Sequence, residues 1–304
     1  MTDTTLLRLE NVSRRLAGRS IVENVGLSLD RGTVLGLLGV NGAGKTTTLR
    51  MICGVLAPSK GRVLVAGTDT RDDPSRAARA LGYLPEVPPL YPELRVSEYL
   101  TFCARLRRLG GKALAGAVDA TIERCGLGDV RRRLIGNLSK GYQQRVGIAQ
   151  AIIHDPALIV LDEPASGLDP LQSSNIRALI RELGKAHAVI LSTHLIADVN
   201  QCCDRVAILH RGRLRYDGPV QQLAEANVWL VRTANAPMLQ SIAGVQSAQF
   251  VDPYWQMTTN LAPEKLAETI VARGWGLIAL RPQETNLEQV FLRIASADET
   301  AEAA

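Results

Sequence analysis

Aromatic residues make up only 4% of the 304-residue chain: three Trp, six Tyr and three Phe. That scarcity speaks against a nucleic-acid platform, where basic side chains alternate with stacking rings. The arginine clusters, Arg105/Arg107/Arg108, Arg131–Arg133 and Arg211/Arg213/Arg215, have no aromatic company of that kind. With a formal charge of +5 they read as solvated helix faces or as attraction to an anionic membrane surface, and no nucleic-acid partner is expected. Long apolar runs are also missing. The longest, Val34–Val40, has a strand's length and falls far short of the roughly 18 residues of a membrane span. Met1–Thr5 has neither the basic nor the apolar region of a signal peptide. The five cysteines are odd in number and lack C-x-x-C spacing, which speaks against zinc and disulfides. They read as buried thiols of a reducing cytosol, the adjacent Cys202-Cys203 included.

What is present is a globular composition, 46% hydrophobic and 21% charged, and one conspicuous stretch. Gly39-Val40-Asn41-Gly42-Ala43-Gly44-Lys45-Thr46-Thr47 matches G-x-x-x-x-G-K-[ST]. It lies between the apolar strand Val34–Leu38 and a helical Thr48–Cys53, the setting in which that pattern is a phosphate cradle. Glycines let backbone N–H groups converge on an anion at a helix N-terminus. Lys45 is expected on the β- and γ-phosphates and Thr46 on Mg²⁺. The chain is therefore expected to bind a nucleoside triphosphate.

Buried strands Val34–Leu38, Ala157–Leu161 and Ala188–Ser192 alternate with helices Pro74–Leu81, Ser139–Ile153 and one opening at Asp169-Pro170 and stopping at Gly184. This is the pattern of an α/β core on a mostly parallel sheet. Leu6–Leu9 and Ile21–Leu29 read as preceding strands, and Arg62–Ala66 as a further one. Residues 84–89 are too proline-rich for an element interior. Val96 to about Cys125 is helical, broken at Gly110-Gly111. Beyond Asp217-Gly218-Pro219 the character changes, and all three tryptophans, Trp229, Trp255 and Trp275, lie there. Strands Val228–Arg232, Val245–Val251 and Leu277–Leu280 with helices Pro263–Arg273 and Leu287–Ile294 predict a small α+β domain. The expected division is 1–226, with a helical subdomain at about 95–155, and 227–304 with a frayed tail.

The strand ending Leu158–Leu161 delivers Asp162-Glu163-Pro164 to its carboxyl end, where α/β sheets bind ligands. Asp162 is placed to share the Mg²⁺ with Thr46, and Glu163 to act as general base on water. Ser139-Lys140-Gly141-Tyr142 opens a helix with a hydroxyl, a glycine amide and a helix dipole, a second anion site. The ordered set of phosphate loop, Leu138-Ser139-Lys140-Gly141, Asp162-Glu163-Pro164, Gly167-Leu168-Asp169 and His194 resembles the ATP-binding subunit of ABC transporters over about residues 5–220. The resemblance implies a P-loop NTPase core of the ABC type, with a helical subdomain and the small C-terminal domain. It implies ATP and Mg²⁺ as cofactors and ATP hydrolysis as the activity. By the same resemblance, Gly39–Thr46 would be the Walker A loop, Asp162 the Walker B aspartate and Glu163 the catalytic base. Ser139–Tyr142 would be the signature completing the partner's site, Asp169 the D-loop contact and His194 the switch histidine. Two subunits, expected to be identical, would sandwich two ATP on the cytoplasmic face of the membrane and drive an integral-membrane permease. The ending Asn286–Leu292 resembles exporter subunits.

Four positions depart from the family pattern. Glu86 replaces the usual Q-loop glutamine and remains a possible Mg²⁺ ligand. Lys140 and Tyr142 replace glycine and glutamine of the signature. Leu16 stands where an aromatic ring usually stacks on adenine, so weak discrimination of ATP from GTP is expected. The competing class is a soluble ABC ATPase acting on ribosomes or DNA. A single ATPase domain, and only about 95 residues between loop and signature without heptads or C-x-x-C, argue against it.

Overall fold

The structure, a computed structural model, describes residues 5–223, 228–235 and 238–282. The chain forms two compact units, Met1–Gly218 and Pro219–Ala304. In the first, β1 (Thr5–Leu16) and β2 (Arg19–Asp30) make a hairpin whose alternate residues, Leu7, Leu9, Val12, Val22, Val25, Leu27 and Leu29, are buried. Both strands outrun the expected Leu6–Leu9 and Ile21–Leu29. Pairing continues past the apolar stretch at Arg14↔Val22, Arg15↔Ser20 and Leu16↔Arg19, where backbone hydrogen bonds need no core-facing side chain.

β3 (Val34–Leu38) is buried at every position and leads into α1 (Lys45–Ile52). β4 (Lys60–Val65) and the two-residue β5 (Thr68–Asp69) return to the first sheet, whose order is β2-β1-β4-β5. α2 (Pro74–Arg79) is shorter than the expected Pro74–Leu81. Ala80 caps it, and Leu81 opens a strand the sequence did not announce, β6 (Leu81–Leu84), which stops before Pro85. A helical segment follows: α3 (Val96–Leu106), α4 (Gly111–Arg124) and α5 (Lys140–Ile152). α3 starts on a capping box in which the Arg95 N–H donates to Glu98 Oε2 at 2.9 Å. β7 (Leu158–Asp162), α6 (Pro170–Gly184), β8 (Ala188–Thr193), α7 (Ile196–Cys202), β9 (Arg205–His210) and β10 (Arg213–Pro219) complete the unit.

The second sheet runs β10-β9-β3-β8-β7-β6, and its β9-β3-β8-β7-β6 pairs are parallel. β3, β7 and β8 are buried on both faces, hence their continuous apolar runs. One core joins the two sheets through α1: Leu7, Leu29, Leu35, Leu49, Met51 and Ile52 are at most 1% exposed. At about 1.5–3 kcal/mol for each large apolar side chain, this packing fixes α1 and therefore the loop before it.

The second unit has an antiparallel sheet, ordered β12-β13-β11-β14, made of β11 (Val228–Thr233), β12 (Val245–Val251), β13 (Tyr254–Thr259) and β14 (Leu277–Pro282). α8 (Pro263–Ala272) packs Leu266 and Ile270 on Val231, Ala248 and Met257. The expected helix Leu287–Ile294 lies outside the described residues. In the basic clusters, Arg131 is ion-paired with Asp119 at 2.8 Å and Arg213 with Glu23 at 3.1 Å.

Candidate functional site: a phosphate loop facing paired carboxylates

Strand register decides which side chains meet. β3, β8 and β7 are neighbours with Leu38 opposite Thr193 and Asp162 opposite Ser192. The loop after β3, the Asp162-Glu163 turn and the Ser192–His194 segment therefore emerge side by side at the carboxyl edge of the sheet.

In the phosphate loop, a Cβ at Gly39 would stand 2.5 Å from the Leu209 carbonyl oxygen. Gly44 has φ +102°, and a Cβ there would meet the Ile21 carbonyl at 2.8 Å. Only glycine suits either place. Gly44 caps α1 without a side chain, so no side chain occupies the helix's first-turn amides. Lys45 curls back over the loop, donating to the Gly39 carbonyl at 2.8 Å and the Val40 carbonyl at 3.4 Å. Asn41, Gly42, Thr46 and Thr47 line the cleft beside it, and Ala43 is buried beneath.

Across the cleft, Glu163 uses both carboxylate oxygens. Oε1 lies 3.4 Å from Lys45 Nζ and Oε2 lies 2.9 Å from His194 Nδ1. The glutamate side chain is 11% exposed and the histidine 42%. Glu163 has φ +49°, a costly conformation for a residue with a Cβ. Its N–H is held by Ser192 Oγ at 2.9 Å. Asp162 is 1% exposed, and its Oδ1 accepts from Thr46 Oγ1 at 3.3 Å and from Ser192 Oγ at 2.5 Å. Burial first, and then the charge of Asp162, push the Cys53 thiol up. Burial, Cys53 and Asp162 in that order raise Tyr83 to about 12.

Asp162 Oδ2 is buried and has no hydrogen-bond partner. A carboxylate oxygen without a donor is costly unless a cation faces it. Mg²⁺ takes one or two carboxylates or hydroxyls and completes its shell with waters and phosphate oxygens, so Thr46 and Asp162 fit it. Glu86, just after β6, lines the same cleft of about 560 Å³. Among the described residues no three His, Cys, Asp or Glu side chains form a metal cluster of their own. Leu16, Ile21 and Val40 form an apolar mouth to this cleft, with Leu16 42% exposed.

The other expected residues lie elsewhere. Ser139 caps α5, its Oγ accepting from the Tyr142 N–H at 3.5 Å. Gly141 leaves room for the Gln172 side chain. Lys140 lies over Gly167 and lines a neighbouring cavity of about 620 Å³ with Glu86, Glu163 and Ser166. Asp169 caps α6 by accepting from the Gln172 N–H at 2.9 Å. Sequence reading missed the residues that support the site. Ser192 is one. Another group is Thr193, whose Oγ1 donates to Asp198 Oδ2 at 2.7 Å, and Arg177, whose Nε donates to Asp198 Oδ1 at 2.8 Å. A serine or threonine at a strand end carries no signal until its neighbour strand is known.

A glycine-rich loop and helix, facing an Asp-Glu pair on a parallel sheet, define a P-loop ATPase. A family model described as ABC transporter matches residues 22–166. The uncharacterized ABC transporter ATP-binding protein YxlF of Bacillus subtilis is 31% identical over 303 residues, covering 96% of this chain and all of that one. The bacitracin transport ATP-binding protein BcrA of Bacillus licheniformis is 33% identical over 301 residues, covering 96% and 97%. The solved structure of CbiO1 from Clostridium perfringens, part of the transporter complex cbiONQ, has a TM-score of 0.67 at 29% identity, covering 73% of this chain and 92% of that one. The chain belongs to the ATP-binding proteins of ABC transporters, ATPases coupled to transport. No helix among the described residues is long and apolar enough to cross a membrane.

Proposed function

We propose that this subunit hydrolyses ATP to drive a separately encoded membrane permease, in the export direction, as a homodimer sandwiching two ATP on the cytoplasmic face. The observation that supports this best is the convergence of Lys45 and His194 on the two oxygens of Glu163, beside the Thr46–Asp162 pair. Gly39–Thr47 would cradle the phosphates, with Lys45 turning from Glu163 to the β- and γ-oxygens. Leu16 would support adenine. Thr46, Asp162 and Glu86 would hold Mg²⁺, which when bound neutralises phosphate charge. Glu163 would take the proton of the attacking water, while His194 holds its Oε2 and senses the γ-phosphate. Ser139–Tyr142 would complete the partner's site, and Asp169 would touch the partner. The permease would dock near residues 86–125, where Val87 is 79% and Leu106 67% exposed, and where the Tyr91 and Phe102 rings meet at a tilt with centroids 5.7 Å apart.

The test is a pull-down of tagged Glu163→Gln protein from detergent-solubilised membranes with ATP and Mg²⁺, paired with an ATPase assay. Hydrolysis is expected to fall roughly 10²–10⁴-fold with ATP binding retained, and a polytopic membrane protein should be recovered. Unchanged turnover would remove Glu163 from its role. Recovery of ribosomes or DNA-bound proteins alone would remove the transporter role.

A further inference from the structure

Ser192 sits at the one point from which both carboxylate residues are reached. It is fully buried near the end of β8, in register with Asp162 on β7. Side chains paired across neighbouring strands stand on the same face of the sheet. A hydroxyl has one proton to donate and two lone pairs to accept with. The Ser192 proton goes to Asp162 Oδ1, and one lone pair receives the Glu163 N–H. No other described side chain hydrogen-bonds to both residues.

Two consequences follow from this division. Oδ1 of Asp162 takes both available donors, from Ser192 and Thr46, so Oδ2 is the oxygen left free toward a cation. The Glu163 amide is tied down where the backbone turns to φ +49°, the turn that points its carboxylate at Lys45 and His194. Without that acceptor the N–H would lose its partner, and the strained turn would lose one of the contacts that hold it.

We propose that Ser192 is a positioning residue. Its hydroxyl selects which oxygen of Asp162 meets the divalent cation and fixes the turn that aims Glu163. This rests on the roles proposed above for Asp162 and Glu163.

Three variants test it. Ser192→Ala removes the hydroxyl; Ser192→Thr and Ser192→Val add the same bulk with and without it. Thermal melting checks that each folds. Mn²⁺ affinity is read by electron paramagnetic resonance with a non-hydrolysable ATP analogue, and kcat and KM for ATP from steady-state hydrolysis. Ser192→Ala and Ser192→Val should bind Mn²⁺ about tenfold more weakly and lose about tenfold or more in kcat, as partners of metal ligands typically do. KM for ATP should stay within about twofold, because the phosphate loop is untouched. Ser192→Thr should recover both quantities. Equal impairment of Ser192→Thr and Ser192→Val would show that bulk, not the hydroxyl, is at issue and would overturn the assignment. So would a Ser192→Ala protein that matches wild type in Mn²⁺ affinity and kcat. A wild-type chain that neither binds Mn²⁺ with nucleotide nor hydrolyses ATP would overturn the reading of Asp162 and Glu163, and this assignment with it.

Discussion

His154 shows how one side chain sets a pH limit. It follows α5, with Nε2 at 3.1 Å from the Leu81 carbonyl and Nδ1 buried without a partner. The neutral ring with its proton on Nε2 satisfies that carbonyl, while a second proton on Nδ1 would have nowhere to go. Burial, then the nearby Arg107 charge, lower its pKa to about 4, against opposing pulls from the Leu81 hydrogen bond and then from Asp155. The unfolded chain takes up a proton near pH 6.5 that the folded chain refuses until about pH 4. Stability therefore falls as pH drops through that window and is indifferent to this group above it. Discounted for the part of the ring that water reaches, the loss is about 1–2 kcal/mol. His154→Gln keeps a donor for Leu81 without the titration. Denaturant unfolding at pH 7.5 and 4.5 should show wild type losing that much more than the variant. Parallel losses would refute the attribution.

At the scale of elements, the segment carrying His194 is held by a lock between two helices. Arg177 on α6 and Asp198 on α7 pair at 2.8 Å with side chains 15% and 4% exposed, and Asp198 also accepts from Thr193. Thr193 in turn accepts from the Leu195 N–H, pinning the residues on both sides of His194. Asp198→Ala would strand Arg177 and free Thr193. It should cost about 3 kcal/mol in urea unfolding, and a loss below about 1 kcal/mol would mean the pair is little stronger than a surface ion pair. α6 was expected from Asp169-Pro170 to Gly184, but its partner α7 was not legible in advance, because it has only seven residues, too few for periodicity to register. The same holds for the short strands β6, β9 and β13. Leu81–Leu84 is four residues ahead of a proline run, Arg205–His210 follows an unrelated Cys-Cys-Asp, and Tyr254–Thr259 alternates only weakly. β6 and β9 pair with β7 and β3, strands distant in sequence, whereas β13 closes a tight hairpin on β12. β3, β7 and β8 were readable because burial on both faces writes itself as an unbroken apolar run. The phosphate loop and Asp162-Glu163 were readable because each sits against such a strand. Ser192 became visible only through the register of β8 on β7.

At the scale of the molecule, two cores are built from different materials. The first unit packs aliphatic side chains between two sheets, and the second places Trp229, Trp255 and Trp275 around Val231 and Met257. The change of composition near Gly218 was the sequence sign of that division. Every cysteine belongs to the first unit and none is paired in a disulfide. Cys103, Cys125, Cys202 and Cys203 are buried, and only Cys53, beneath Asp162, is partly open. The chain thus carries its own chemical clock for opening. Ellman's reagent should find at most one thiol in the native protein and five in denaturant, so the slow release of colour at intermediate temperatures would time how often the first unit opens. Rapid native reaction at two or more thiols would show that this core breathes.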